Sequence, residues 1–118
     1  MSEKRIFTDF LNDILNEINK ISKFIGKKSY DKFIKDEKTI YAVTRSLEII
    51  GEATKNIPED IKNKYSNIPW KKISGMRNKL IHEYFGVDLE TLWNTIKNRL
   101  PEIKIPIEEI LENIDTKK

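Results

Sequence analysis

The segment IFTDFLNDILNEINKISKFI, residues 6–25, decides the fold class. Its apolar residues recur at intervals of three and four, which is the spacing of one buried face on an α-helix. Gly26 follows directly and is a typical helix stop. The segment therefore predicts a long amphipathic helix, which must bury its apolar face against other helices.

The same periodicity continues in the next part of the chain. Ser29 is suited to cap a short helical turn that carries Tyr30 and Phe33. Asp36 is suited to cap a second long helix, whose end is marked by Asn56-Ile57-Pro58. Both predictions follow because a short polar side chain at this position accepts a hydrogen bond from the first turn of the helix.

The second half of the chain predicts further helices. Pro58 is expected in the first turn of a short helix, and the sequence Ser66-Asn67-Ile68-Pro69 is a break. The third main helix is predicted from Trp70 to Phe85, where Gly86 ends it. Asp88 would cap the next one.

That next helix is predicted from Leu89 to Leu100, because Pro101 disfavours helical backbone in the residue before it. A short helix, Ile105 to Ile114, is expected to follow with Pro106 at its start. No stretch alternates as a strand would. The expected fold is all-α: an antiparallel bundle of four to five helices with short connecting helices, forming a single domain over residues 1–118 whose tail from about residue 106 is peripheral.

The composition excludes several classes of protein. The chain has 118 residues, 38% of them hydrophobic and 35% charged, without an apolar run long enough to cross a membrane. Its N-terminus lacks the apolar core of a signal peptide, so a cytoplasmic location is expected. With no cysteine and one histidine, disulfides are excluded and a zinc site is disfavoured, so neither a metal nor a cofactor is expected.

The basic residues are unevenly distributed. The formal net charge is only +3, yet the stretch from Ile61 to Leu80 contains lysines and an arginine but no acidic residue. Aromatic residues interrupt this stretch, a combination that suits RNA, because phosphates attract cations and bases stack on rings. The alternative is an ordinary solvated helix face. The candidate RNA contacts are Trp70, Lys71, Lys72 and Lys79.

The octet Arg77-Asn78-Lys79-Leu80-Ile81-His82-Glu83-Tyr84 holds the only histidine. Arginine binds phosphate oxygens through a rigid set of donors, and histidine transfers protons near neutral pH. On a helix, Asn78 and His82 would lie one turn apart, so Asn78 could orient an imidazole or a phosphate. A lone histidine near a helix C-terminus is nevertheless more often structural.

Arg77 would lie near the middle of the apolar stripe on that helix. An unpaired buried guanidinium is costly, so Arg77 should meet a carboxylate, a partner subunit or a ligand. Glu48 and Glu52, one turn apart on the second long helix, are candidate partners. The sequence does not decide between them.

The pattern Arg77-x4-His82-x-Tyr84 resembles the signature of the HEPN superfamily. The blocks Leu47-Glu48-Ile49-Ile50-Gly51-Glu52-Ala53, Ile68-Pro69-Trp70, Gly75-Met76-Arg77-Asn78 and Tyr84-Phe85-Gly86-Val87-Asp88 resemble HepT-like proteins, the toxins of HepT/MntA toxin–antitoxin modules. The resemblance spans roughly residues 5 to 105.

The resemblance implies an all-helical homodimer with metal-independent endoribonuclease activity on an RNA such as tRNA or mRNA. It implies that Arg77 and His82 are the catalytic pair and that Asn78 supports them. It also implies an MntA-like nucleotidyltransferase antitoxin of a type VII-like module, which would transfer AMP to Tyr84.

Two other functions fit the same residues. Arg77 and His82 could bind phosphate without cleaving it, in a non-enzymatic module that binds nucleotides or a nucleotidyltransferase. The basic stretch from Lys62 to Lys79 could instead dock an acidic protein partner. Cleavage of RNA that depends on His82 separates the first interpretation from both alternatives.

Overall fold

A computed structural model of the protein describes residues 3–75 and 89–116. Within these ranges every regular element is helical, which confirms the all-α prediction. The elements are α1 (Glu3–Ile25), α2 (Tyr30–Phe33), α3 (Glu37–Lys55), α4 (Glu59–Lys64), α5 (helical over 70–75), α6 (Leu89–Asn94), a π-helical turn (Thr95–Arg99) and α7 (Leu100–Thr116). No helix within the described ranges combines the length and the apolarity that a membrane crossing requires.

The first long helix ends where the sequence predicts. Helix α1 stops at Ile25, and Gly26 adopts a φ of 53°, in the left-handed region where only glycine is unstrained. The N–H of Gly26 still donates to the carbonyl of Ser22 at 2.9 Å, so the last turn of α1 is satisfied. The chain can therefore reverse direction within a few residues.

The predicted N-caps Ser29 and Asp36 are confirmed. The Ser29 hydroxyl accepts a hydrogen bond from the Lys32 N–H at 3.3 Å. The Asp36 carboxylate accepts from the Thr39 hydroxyl at 2.7 Å and from the Thr39 N–H at 3.1 Å. The hydroxyl bond, followed by the N–H bond, holds the pKa of Asp36 below its ordinary value, because both bonds favour the charged form.

The core lies mainly between α1 and α3, which form the largest helix–helix interface among the described elements. The two helices are antiparallel, since Phe10 and Asp13 near the start of α1 border the same groove as Glu52 and Asn56 at the end of α3. The fully buried apolar side chains include Leu11, Ile14 and Ile21 from α1, Val43, Leu47 and Ile50 from α3, and Ile107 from α7.

The predicted helix boundary at Pro101 is wrong. A π-helical turn, Thr95–Arg99, joins α6 to α7 without a break, and the Leu100 N–H donates to the Thr95 carbonyl five residues earlier. Pro101 follows directly after this turn inside a continuous helix, where the widened backbone has already displaced the regular hydrogen-bond pattern that its missing N–H would interrupt. The helix therefore continues because the backbone widens directly before the proline.

The C-terminal segment also differs from the prediction. The expected short helix from Ile105 to Ile114 is part of α7, with Pro106 inside the helix rather than at its start. Ile107 and Ile110 are buried, so this segment belongs to the core and is not peripheral. A smaller difference occurs at α4, where Pro58 is the N-cap and the helix begins at Glu59.

Candidate functional site

The octet that carries the predicted chemistry lies outside the described residues. The roles of Arg77, Asn78, Lys79, His82 and Tyr84 therefore stay predictions. The same holds for the helix beyond residue 75 and for the predicted end at Gly86 and cap at Asp88. The described residues on either side of the octet define what surrounds it.

Trp70 anchors the start of α5, the helix that leads into the octet. Its side chain is only 7% exposed, and its indole N–H donates to the carbonyls of Lys62 at 3.2 Å and Tyr65 at 3.1 Å. A buried ring offers no face to a nucleic-acid base. The predicted stacking of Trp70 on RNA is therefore wrong, and the side chain instead fixes α5 against the end of α4.

Lys71 and Lys72 stay predicted RNA contacts. Both side chains are exposed, whereas the next residue, Ile73, is buried. Lys72 borders a groove of about 920 Å³ between the segment 69–75 and the helix that follows the octet. We call it the Arg99 groove. Its polar and glycine lining residues are Lys72, Gly75, Thr91, Asn94, Thr95, Asn98, Arg99 and Glu102.

The far wall of the Arg99 groove is held by the π-helical turn. The Thr95 hydroxyl donates to the Thr91 carbonyl at 2.9 Å, so it stabilises the widened backbone. Leu92 and Ile96 are buried in the core, while Asn94, which borders the groove, is exposed. The turn thus presents polar side chains to the groove and apolar ones to the core.

Aromatic packing fixes this wall to the rest of the protein. The Trp93 ring lies 5.1 Å from the Phe33 ring and 5.8 Å from the Tyr30 ring, measured between centroids. Lys97 lies over the outer side of Trp93, 4.9 Å from its centroid. These contacts connect α6 to α2, so the groove wall has a fixed position.

Several polar groups in the Arg99 groove have no partner within the described part of the chain. There, Lys72 and Arg99 form no ion pair, and the side-chain amides of Asn94 and Asn98 form no hydrogen bond. The only acidic residue among the described lining residues is Glu102. The groove can therefore offer cationic and amide donors to a ligand.

A second groove, of about 390 Å³, contains both candidate partners of Arg77. We call it the Glu48 groove, and its polar lining is Asp13, Arg45, Glu48, Glu52 and Asn56. Arg45 lies 3.7 Å from the Glu48 carboxylate, and the Asn56 amide donates to the Glu52 carbonyl at 3.0 Å. A contact of Glu48 or Glu52 with Arg77 stays a prediction, because Arg77 lies outside the described residues.

Asn94, Asn98 and Arg99 were not among the site residues predicted from the sequence. A signal was present, because Asn94 and Asn98 are four residues apart within a helix, and asparagine is a weak helix former. Such a pair on one helix face suggests a use other than helix stability. The π-helical turn, which aligns that face with Lys72, has no sequence signal beyond the nearby Pro101.

The fold and the Arg-x4-His segment together define an all-helical protein of the HEPN class. Residues 14–110 match the model of the family described as "Ribonuclease HepT-like", so the chain belongs to that family. No solved structure matches the chain.

The relatives of the chain carry consistent names. A Methanocaldococcus jannaschii protein named "Putative RNase MJ1216" is 49% identical, over 97% of this chain and 94% of its own length. A Thermococcus cleftensis protein named "Probable ribonuclease HepT" is 47% identical, over 91% of this chain and 97% of its own length. The similarity thus spans nearly the full length of both relatives.

Proposed function

We propose that this protein is a metal-independent endoribonuclease and the toxin of a toxin–antitoxin module. The observation that carries the proposal is the family match over residues 14–110, which contains the entire octet from Arg77 to Tyr84. The names of the relatives support RNA as the substrate. Lys71 and Lys72, exposed just before the octet, support a surface that attracts phosphates.

The chemistry requires no metal if the RNA supplies its own nucleophile. The 2′-hydroxyl attacks the adjacent phosphorus, the bond to the 5′-oxygen breaks, and a 2′,3′-cyclic phosphate remains. One group must take the proton of the 2′-hydroxyl, and another must give a proton to the leaving oxygen. We assign proton transfer to His82 and binding of the negatively charged phosphate to Arg77. Asn78 orients one of these groups.

A homodimer follows from the same chemistry. One histidine cannot easily act as base and acid toward one phosphate, and each chain has a single histidine. A two-fold axis that brings two octets around one cleft supplies both functions. The dimer is therefore part of the proposal.

Tyr84 is the proposed site of control. A nucleotidyltransferase antitoxin would direct the Tyr84 oxygen to the α-phosphate of ATP, which forms a phosphodiester with AMP and releases pyrophosphate. The added negative charge and bulk, two residues from His82, would repel and block an RNA strand. Intact-mass analysis after incubation with antitoxin and ATP should show one AMP on the wild type and none on Tyr84→Phe.

The test of the enzymatic proposal is cleavage of total RNA and tRNA in the presence of EDTA. We expect the wild type to cleave and His82→Ala to be slower by about 10²-fold or more, the usual effect of removing a general acid or base. Lys23→Ala, at an exposed position in the last turn of α1, is a control that should retain activity. Equal rates for the wild type and His82→Ala would contradict the proposal.

A further inference from the structure

The Arg99 groove is bordered by both ends of the segment that contains the octet. Gly75 lies on its rim before that segment, and Thr91 borders it after the segment. Two peptide links separate Gly75 from Arg77, which is a chain length of at most about 7.6 Å. A ligand that contacts the groove at Gly75 therefore lies near Arg77, the phosphate-binding residue of the proposed mechanism.

The lining of the groove has the chemistry of a nucleotide site. Lys72 and Arg99 can hold phosphate oxygens, and within the described ranges neither cation forms an ion pair. Asn94 and Asn98 can donate to and accept from the edge of a base. Glu102, with its acceptor oxygens, can receive the amino or imino protons of a base.

The size and shape of the groove point to the same class of ligand. Its volume of about 920 Å³ is near the upper end of small-molecule sites, which run from about 300 to 1,000 Å³. Its buried floor is apolar, formed in part by Ile73 and Ile103. A groove of this size can accommodate an unstacked base whose edge reaches the side-chain amides of Asn94 and Asn98.

We propose that the Arg99 groove binds a nucleotide of single-stranded RNA that flanks the cleaved phosphate. Arg99 and Lys72 bind its backbone phosphates, and Asn94, Asn98 and Glu102 read its base. This inference rests on the proposed ribonuclease function and assigns where the substrate lies outside the octet. It predicts that cleavage has a base preference set by the π-helical turn.

The first test measures RNA affinity by fluorescence anisotropy at several salt concentrations. The protein is the full chain with His82→Ala, which binds without cleaving, and the probe is a short unstructured RNA. Adding Arg99→Ala should weaken binding about tenfold, the usual effect of one charge-assisted hydrogen bond. It should also lower the slope of log K against log salt by about 0.7, as expected for one lost phosphate contact with a single strand.

Lys97→Ala is the matched control. Lys97 lies on the same π-helical turn, is exposed and carries the same charge, but it sits over Trp93 and does not border the groove. Its removal should change the affinity by less than about twofold. Equal losses for Arg99→Ala and Lys97→Ala would show a diffuse charge effect and overturn the inference.

The second test maps the ends of the fragments that the active protein and Asn98→Ala release from a random RNA pool. We expect a base preference next to the cut in the fragments from the wild type and its loss in the fragments that Asn98→Ala releases. An unchanged base preference in Asn98→Ala would overturn the proposed contact between Asn98 and the base. Circular dichroism should show the same thermal midpoint for each variant and its parent, because these side chains are exposed.

The outcomes separate the inference from the function on which it rests. If the wild type neither cleaves nor binds any RNA, the proposed function and this inference are both wrong. If the wild type cleaves in a His82-dependent way while Arg99→Ala behaves as Lys97→Ala does, only the Arg99 groove is wrong.

Discussion

The two grooves of this protein differ in charge and in how their polar groups are used. Among its described lining residues, the Glu48 groove has three carboxylates, Asp13, Glu48 and Glu52, and one arginine, which pairs with Glu48. The described residues of the Arg99 groove include two cations, Lys72 and Arg99, and one carboxylate, Glu102, and within the described ranges the cations form no ion pair. The first groove belongs to the α1–α3 core, whereas the second flanks the octet.

This difference suggests that the polar groups of one groove stabilise the fold and those of the other bind a ligand. Polar groups that bond within the protein stabilise the fold, and groups that keep their hydrogen-bonding capacity serve a ligand. Substitutions on the α1–α3 side, other than at Glu48 and Glu52 as candidate partners of Arg77, should therefore change stability and leave RNA cleavage intact. Substitutions of the exposed polar side chains in the Arg99 groove should do the reverse.

Trp70 gives the largest expected effect on stability. It is an exception on the Arg99 side of the molecule, because its side chain is buried and its loss should therefore destabilise the fold. Trp70→Ala should lower the free energy of unfolding by about 3–5 kcal/mol, because it leaves a large cavity. Trp70→Phe should cost about 1–3 kcal/mol, because the carbonyls of Lys62 and Tyr65 lose their donor. Urea denaturation measures both. A fully stable Trp70→Phe with weakened RNA binding would restore the stacking role instead.

The next largest effect is on RNA affinity, and it is measured by replacing one arginine from each groove. Arg99→Ala should weaken RNA binding about tenfold, whereas Arg45→Ala should leave it unchanged. Arg45 is 70% exposed in its side chain and pairs with Glu48 at 3.7 Å, so its loss should cost less than about 1 kcal/mol of stability. Anisotropy with the same RNA tests both variants. A larger loss of affinity for Arg45→Ala than for Arg99→Ala would reverse the assignment of the two grooves.

Two glycines give a smaller and opposite pair of effects. Gly26→Ala should destabilise the protein by about 1 kcal/mol, because its φ of 53° is strained for any side chain with a Cβ. Gly75→Ala should stabilise it by about 0.5–1 kcal/mol, since residue 75 is helical and an added Cβ meets no atom within 4 Å. Thermal denaturation compares them. Stabilisation by both variants would mean that the turn after α1 does not need the left-handed conformation.

The smallest effect concerns pH. The pKa of Asp36 is lowered in the folded protein by the Thr39 hydroxyl and N–H, so its contribution to stability is present above the unfolded pKa, about 3.8. That contribution is lost as pH falls through the lower folded value. The wild type should exceed Asp36→Asn in stability at neutral pH, and the two should converge in strong acid. A difference that stays constant with pH would exclude the carboxylate charge as its cause.

The α1–α3 side was predictable from sequence because its signals are local. The period of apolar residues in 6–25, the cap at Asp36 and the stop at Gly26 each act within one or two turns of helix. Such features need no knowledge of the tertiary structure.

The Arg99 side was less predictable because its features depend on distant contacts. The lysines around Trp70 in the sequence suggest an exposed ring. The ring is buried instead, and its indole N–H donates to carbonyls of α4 and the following turn. Pro101 predicts the end of a helix, but the π-helical turn before it allows the helix to continue. The octet itself was recognised only by its residue types and spacing, and its geometry lies outside the described residues.

The most direct measurement is photo-crosslinking of RNA that contains 4-thiouridine to the full-length His82→Ala protein, with the adducts mapped by mass spectrometry. If RNA lies beside the octet in the Arg99 groove, adducts should fall on residues 70–75 and 94–102. Residues 45–56, which include most of the Glu48 groove, should carry fewer adducts than residues 94–102. Adducts concentrated on 45–56, with none on 94–102, would contradict the assignment of the Arg99 groove as the substrate site.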